Sequence, residues 1–210
     1  MVFEEKIRFD NLPLRGYKNI LNQTNNRKVW FTSDTHFGHK NVISYNNRPW
    51  ETVEEMNEAL ITNWNSVVGI DDIVFHLGDV QLGGGNQLMD SIFPRLNGHI
   101  ILILGNHDPH NLKPRHLDLI DVAYEQLTIV IDGILCTLTH CPHGIPGKEP
   151  EHQFNLHGHL HSINDIPSEE CTVKLRENHY DVGVDNNNYF PVSFNDIKSK
   201  IYNRIEKRYT

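Results

Sequence analysis

Hydrophobic positions along the chain follow two rhythms. Val29 to Thr32, Asp72-Ile-Val-Phe-His-Leu77 and His99-Ile-Ile-Leu-Ile-Leu104 are short apolar runs rich in β-formers, which predicts buried strands. Each run stops at a polar stretch: Ser33-Asp34, Gly78-Asp79 and Gly105-Asn106-His107-Asp108. Between the first two, Val53, Met56, Leu60, Trp64 and Val67 recur at helical spacing. Thr52 and Glu55 stand three apart, the spacing of a capping box, and predict where that helix starts. Leu88, Ile92 and Leu96 predict a second helix, whose last turn Pro94 interrupts. The order is βαβαβ.

From Ala123 the rhythm changes. Leu127 to Ile131 and Ile134 to Thr139 flank Asp132-Gly133, a hairpin signature whose second arm leads into His140. A Pro- and Gly-rich loop from Cys141 to Pro150 precedes His157-Gly-His-Leu-His161. Strand-like runs follow around Cys171 to Leu175 and Tyr180 to Val184, then a closing helix from about Asn195 on Ile197, Ile201 and Ile205. A parallel first half and an antiparallel second half fit an α/β fold of two packed mixed β-sheets flanked by helices. No repeat or linker divides the chain, so its 210 residues read as one domain. Residues 1–27 form an N-terminal extension and 195–210 the C-terminal helix.

Composition narrows the class. With 38% hydrophobic and 22% charged residues, the chain is an ordinary globular one. Its 27 acidic against 19 basic residues give a formal charge of −8, which disfavours extended nucleic acid as a partner. The first residues lack a basic stretch leading into an apolar run, and no segment approaches 18 uninterrupted apolar residues. The expectation is a cytoplasmic protein with no membrane partner. Cys136, Cys141 and Cys171 include no CxxC pair and read as reduced thiols. The departure is in histidine: fourteen are present, several beside Asp, Asn and Gly in short loops, where metal sites are built.

Taken singly, an Asp-x-His pair is commonly a surface accident and a Gly-Asp pair a turn. Taken together, the loop-borne groups offer carboxylate, amide and imidazole, the mixed oxygen and nitrogen donors that first-row divalent metals accept. Thiolate is absent from the set, which excludes a zinc finger, and imidazole excludes an all-oxygen calcium or magnesium cage. Gly78, Gly105 and Gly158 directly precede candidate ligands, where a missing Cβ permits a sharp turn or a close approach.

In order, spacing and identity, Asp34-Thr-His36, Gly78-Asp79, Gly105-Asn-His-Asp108, Thr139-His140 and Gly158-His-Leu-His161 resemble the motifs of the calcineurin-like metallophosphoesterase superfamily. The likeness is to its compact single-domain microbial members and covers roughly Val29 to Asp196. It implies that family's four-layer sandwich and two divalent ions, manganese first, with iron, zinc or nickel as alternatives. Asp34, His36 and His161 would hold one ion and Asn106, His140 and His159 the other, with Asp79 bridging. His107 would be the catalytic histidine beside the scissile phosphate, and Asp108 the catalytic carboxylate orienting its imidazole. The implied reaction is phosphodiester hydrolysis, with phosphomonoesters as a further class, by in-line attack of a metal-bridging hydroxide. One departure is Leu82, where many members carry Asp or Asn three residues after the bridging aspartate.

Other polar residues carry weaker expectations. His39 and Arg48 are candidates for substrate phosphate, Arg48 by bidentate contact. His143 and Lys148 could shape the entrance, His157 is expected beside the ligands and not among them, and His76 is expected in the core. Trp50 is read as a core residue, with stacking on a nucleobase as the alternative. The acidic chain favours a small phosphoester substrate, a nucleotide or cyclic nucleotide. The alternatives are a nuclease acting on DNA or RNA ends and a protein phosphatase; a non-catalytic scaffold ranks last, because all seven candidate ligands are present.

Overall fold

The computed structural model describes residues 27–85, 87–143, 152–161 and 175–209. The first sheet contains β1 (Val29–Thr32), β2 (Ile73–His76), β3 (His99–Ile103), β4 (Val122–Tyr124) and β9 (Val192–Ser193), in the order β4-β3-β2-β1-β9. Strands β1 to β4 run parallel, and β9 pairs antiparallel with β1. The second sheet contains β5 (Leu127–Ile131), β6 (Ile134–Leu138), β7 (Gln153–His157) and β8 (His179–Asp181), in sequential order. The chain is thus an α/β protein with two mixed sheets.

The expectation of an antiparallel second half is corrected. Among the described residues of the second sheet, only β5 and β6 pair antiparallel; β7 runs parallel to β6, and β8 parallel to β7. A parallel neighbour requires the chain to return to the starting end of the sheet, which a tight turn cannot do. As a result β6, β7 and β8, like β1, β2 and β3, each deliver their following loop from a carboxyl end, the place where ligands collect in α/β sheets.

Burial explains the strand sequences. All four residues of β2 are buried, because both faces of its sheet are covered. One face packs Phe31, Phe75, Ile101 and Ile103 against Ile129, Cys136, Leu138, Phe154 and Leu156 of the second sheet. Helix α6 (Phe194–Tyr209) adds Phe194, Ile197 and Ile201 to that cluster. The other face packs Val74, Ile100 and Leu102 against Met56, Leu60 and Trp64 of α2 (Val53–Val67) and Met89 and Ile92 of α3 (Leu88–Ile92). Strand β5 instead alternates between buried and exposed positions, since its outer face meets solvent.

Local signals are legible. In α2 the Thr52 side chain accepts from the Glu55 backbone at 3.2 Å, and Glu55 accepts from the Thr52 backbone at 3.2 Å, the expected capping box. Helix α3 gives way at Phe93–Arg95 to a 3-10 turn containing Pro94. In the hairpin, Asp132 and Gly133 have φ of 51° and 79°, the two positive values that a type I′ turn requires. The sequence pattern does not anticipate the one-turn helices α4 (Asp108–Asn111) and α5 (Pro114–Leu117), too short to show periodicity, or strands β4 and β9. The run expected to reach Val184 ends as a strand at Asp181, and Val184–Asn186 is a 3-10 turn. The N-terminal extension through residue 26, Lys148 and residues 171–174 lie outside the described residues. Among those described, α1 (Lys40–Tyr45) and every other helix are too short or too polar to cross a membrane.

Candidate metal centre

Loops from both sheets meet at one rim. Asp34 donates its backbone N–H to Gly78 O at 2.9 Å, and His159 donates its own to Asp34 Oδ2 at 3.0 Å. Across the sandwich, His140 Nδ1 lies 2.7 Å from Leu77 O. A carbonyl only accepts, so a proton is on Nδ1 and Nε2 is the donor atom offered to a metal. Gly78 has φ of 95°, and a Cβ there would lie 2.6 Å from His140 Nδ1 and as close to the Gly105 backbone. The glycines before Asp79 and Asn106 are therefore needed for backbone-to-backbone contact.

Two groups of donors converge. Asp34, His36 and His161 form one, and Asp34, Asp79 and His140 the other. His36 Nε2 lies 3.1 Å from His161 Nε2, and His161 Nε2 lies 3.6 Å from Asp34 Oδ1. His140 Nε2 lies 2.9 Å from Asn106 Oδ1 and 3.2 Å from His159 Nδ1. Between the groups, Asp79 Oδ2 is 3.7 Å from His36 Nε2 and 3.4 Å from His140 Nε2. Asp34, His36, Asp79, Asn106, His140, His159 and His161 are thereby brought together. The arrangement fits divalent cations, since Asp34 Oδ1 is buried with no hydrogen-bond partner amid nitrogen and oxygen donors that such ions accept.

The electrostatics point the same way. Burial opposes charge on Asp79, yet the hydrogen bond and charge of His140, with His36 and the His107 N–H, hold its carboxyl below the ordinary range. Asp34 is held low against burial by His161, His140 and His36. Burial lowers His140, but Asp79 and Asp34 together raise it to about 9. His161 is likewise raised against burial, by Asp34 and Asp185. Burial drives His36 down to about 3, against the pull of Asp34. The carboxylates thus favour the protonated imidazoles of His140 and His161, whereas a histidine that ligates a cation must be neutral. Backbone conformation adds to the picture: Asp34, His36, Asp79, His159 and His161 all have φ between 49° and 73°. Side chains rarely adopt that region, and such strain gathers at ligand sites.

Two expected residues take other places. Arg48, expected at substrate phosphate, is buried and its donors are occupied: Nε and Nη2 by Asp185, Nη2 also by Asp34 O, and Nη1 by Thr35 O and Met56 Sδ. It is a structural cation and not a phosphate clamp. Asp108, expected behind the His107 ring, points inward and accepts backbone N–H groups from Asp79, Val80 and Gly105 at 2.9, 2.9 and 2.8 Å. It ties the two ligand loops together. Burial pushes its carboxyl up to about 7 although those donors oppose the shift. His157, expected beside the ligands, ends β7 as a fully buried residue, and after it the chain turns at His159 and His161, both of positive φ.

Asp108→Ala removes the acceptor for three buried donors, each costing about 1–3 kcal/mol when left unmade. The expected loss of stability in denaturant unfolding is about 3–4 kcal/mol, at the upper end for a single substitution. A loss below ~1 kcal/mol, the worth of one ordinary hydrogen bond, would show that the loops do not depend on this carboxylate.

The His107 side chain is 40% exposed, with Nε2 3.8 Å from Asp79 Oδ2, so it stands at the mouth. His39 occupies the N-cap position of α1, its ring 5.6 Å from that of His36. His76 lies in the core: Gly78 donates to its Nδ1, and Nε2 contacts Thr35 Oγ1. The Trp50 ring packs edge-on against Tyr189 at 4.6 Å, and His143 joins Asn155 and His179 through its backbone. Sequence reasoning misses Asp185 altogether. Its Oδ2 lies 2.7 Å from His161 Nδ1; Gly183-Val-Asp185 follows a strand run much as the other ligand loops do, and that is the available signal.

A family model described as Calcineurin-like phosphoesterase matches residues 27–196. An uncharacterized protein of Methanocaldococcus jannaschii is 35% identical over 179 residues, covering 81% of this chain and 89% of that protein. The Gene 66 protein of Mycobacterium phage D29 is 35% identical over 161 residues, 64% of this chain and 78% of its own length. A solved protein of unknown function from Aquifex aeolicus superposes with a TM-score of 0.63 at 26% identity, over 83% of this chain and 99% of that one.

Proposed function

The chain belongs to the calcineurin-like phosphoesterase family, a family of metal-dependent phosphoric ester hydrolases, and from that premise we propose that it cleaves phosphodiester bonds of small nucleotides or cyclic nucleotides. The observation that carries the reading is the position of Asp79 Oδ2, within 3.7 Å of a ring nitrogen from each donor group. Asp34, His36 and His161 would hold one ion, Asn106, His140 and His159 the other, and Asp79 would be shared.

When bound, two divalent ions, manganese in our reading, supply Lewis acidity and a nucleophile at neutral pH. The protein's own residues do the rest. Asp34 and Asp79, ionised against burial, hold the charge that keeps the cations in place. The Nδ1 proton of His140, fixed on Leu77 O, leaves Nε2 as the ligand atom. His107, at the mouth, is placed to donate a proton to the leaving oxygen or to stabilise its developing charge. His39, whose Nδ1 is buried without a hydrogen-bond partner, is the second candidate contact for substrate phosphate. The charge of −8 supports a small substrate over a long polyanion.

A substrate panel with manganese tests this. Bis-p-nitrophenyl phosphate and 2′,3′- or 3′,5′-cyclic nucleotides should be hydrolysed faster than p-nitrophenyl phosphate, oligonucleotides or phosphopeptides. Preference for oligonucleotide ends would make the protein a nuclease, and preference for phosphopeptides a protein phosphatase. Full activity after exhaustive chelation, with no metal bound, would overturn the two-ion reading itself.

A further inference from the structure

We propose that Asp185 is a positioning residue which, braced by Arg48, fixes the His161 ring and makes the Asp34, His36 and His161 group the tighter of two metal sites. The inference rests on the two-ion reading above. Asp185 Oδ2 lies 2.7 Å from His161 Nδ1. A carboxylate has no hydrogen to offer, so a proton is on Nδ1 and the lone pair offered to a metal is on Nε2, which faces His36 Nε2 and Asp34 Oδ1. Such a partner fixes the tautomer, holds the ring plane and raises the basicity of the ligand nitrogen. Asn46 donates its amide N–H to the same carboxylate oxygen, Asp185 Oδ2, at 3.2 Å.

Arg48 links this carboxylate to the other two ligands of the same site. Its Nε and Nη2 hold Asp185 in a two-point contact at 2.8 and 2.9 Å, the geometry that best fixes a carboxylate. The same guanidinium donates to Asp34 O at 2.7 Å and to Thr35 O at 3.0 Å. One buried cation therefore steadies the turn carrying Asp34 and His36, both of positive φ, together with the support behind His161. The second site is held differently: His140 leans on the neutral carbonyl of Leu77, and Asn106 is exposed.

The test is calorimetric titration of the metal-free full chain with manganese(II), with bound metal counted by elemental analysis. The wild type should take up two equivalents with two separable affinities. Asp185→Asn should weaken the tighter step about 10–100-fold and leave the weaker step in place. Since Asp185→Asn leaves the Arg48 charge buried and unpaired, the double variant Asp185→Asn with Arg48→Met, which removes both charges, is titrated beside it; it should show the same selective weakening. Unfolding curves show that both variants are folded. Indistinguishable steps in the wild type, or folded variants in which neither step or both steps alike are weakened, would overturn the proposal. A wild type that binds no manganese would instead sink the two-ion reading.

Discussion

Asp79→Asn is expected to lower turnover by about a thousandfold or more and to reduce the metal content of the purified protein. Asparagine keeps the shape of the side chain and can still accept the His107 N–H that Asp79 Oδ1 accepts at 3.0 Å, so the loop should hold its course. What is lost is the negative charge on Oδ2, the atom lying between His36, His140 and His107. Sharing of one carboxylate by two cations depends on that charge. Lewis-acid stabilisation of a transition state is worth several kcal/mol, and each ~1.4 kcal/mol is tenfold in rate. Steady-state turnover and metal analysis on the same preparation check both parts; a metal-loaded variant with normal turnover would remove Asp79 from the mechanism.

His107→Ala should behave differently, lowering turnover by about 10²–10⁴-fold with both ions retained. Its ring is not placed among the converging donors: Nε2 stands 3.8 Å from Asp79 Oδ2 at the mouth, and its centroid lies 5.7 Å from that of His36. The contrast between the two variants is the informative result, since one should lose metal and the other only rate. A substrate with a good leaving group, such as a p-nitrophenyl ester, should suffer less in His107→Ala than an alkyl ester, because its leaving oxygen needs less help from a proton. Unchanged turnover, or loss of metal from His107→Ala, would reassign the residue.

Much of the fold is legible in the sequence, because it depends on neighbours in the chain. Thr52 and Glu55 sit three apart, Asp132 and Gly133 are adjacent, and the apolar runs ending at Asp34, Asp79 and Asn106 need no distant information. Strand direction in the second sheet is not legible, since hydrophobic alternation is the same for parallel and antiparallel neighbours. Asp108 illustrates a second limit. Standing next to His107, it suggests support for that ring, but at the first position of α4 its side chain turns inward to backbone N–H groups of another loop. Arg48 and Asp185 illustrate a third, lying 137 residues apart: a buried ion pair between such positions leaves no spacing to read.

The place of β1 in its sheet bears on how the chain acquires its shape. The first described strand lies between β2 and β9, and β9 is formed by Val192 and Ser193. During synthesis Trp30 and Phe31 therefore wait for partners near the far end of the chain, while β1 has an open edge able to pair with another chain. Contacts of such long sequence separation are slow to form. Asp185 and β9 both emerge late, so a nascent chain that stops short of them has neither the strand beside β1 nor the carboxylate behind His161. Capture of metal should therefore mark the completion of folding.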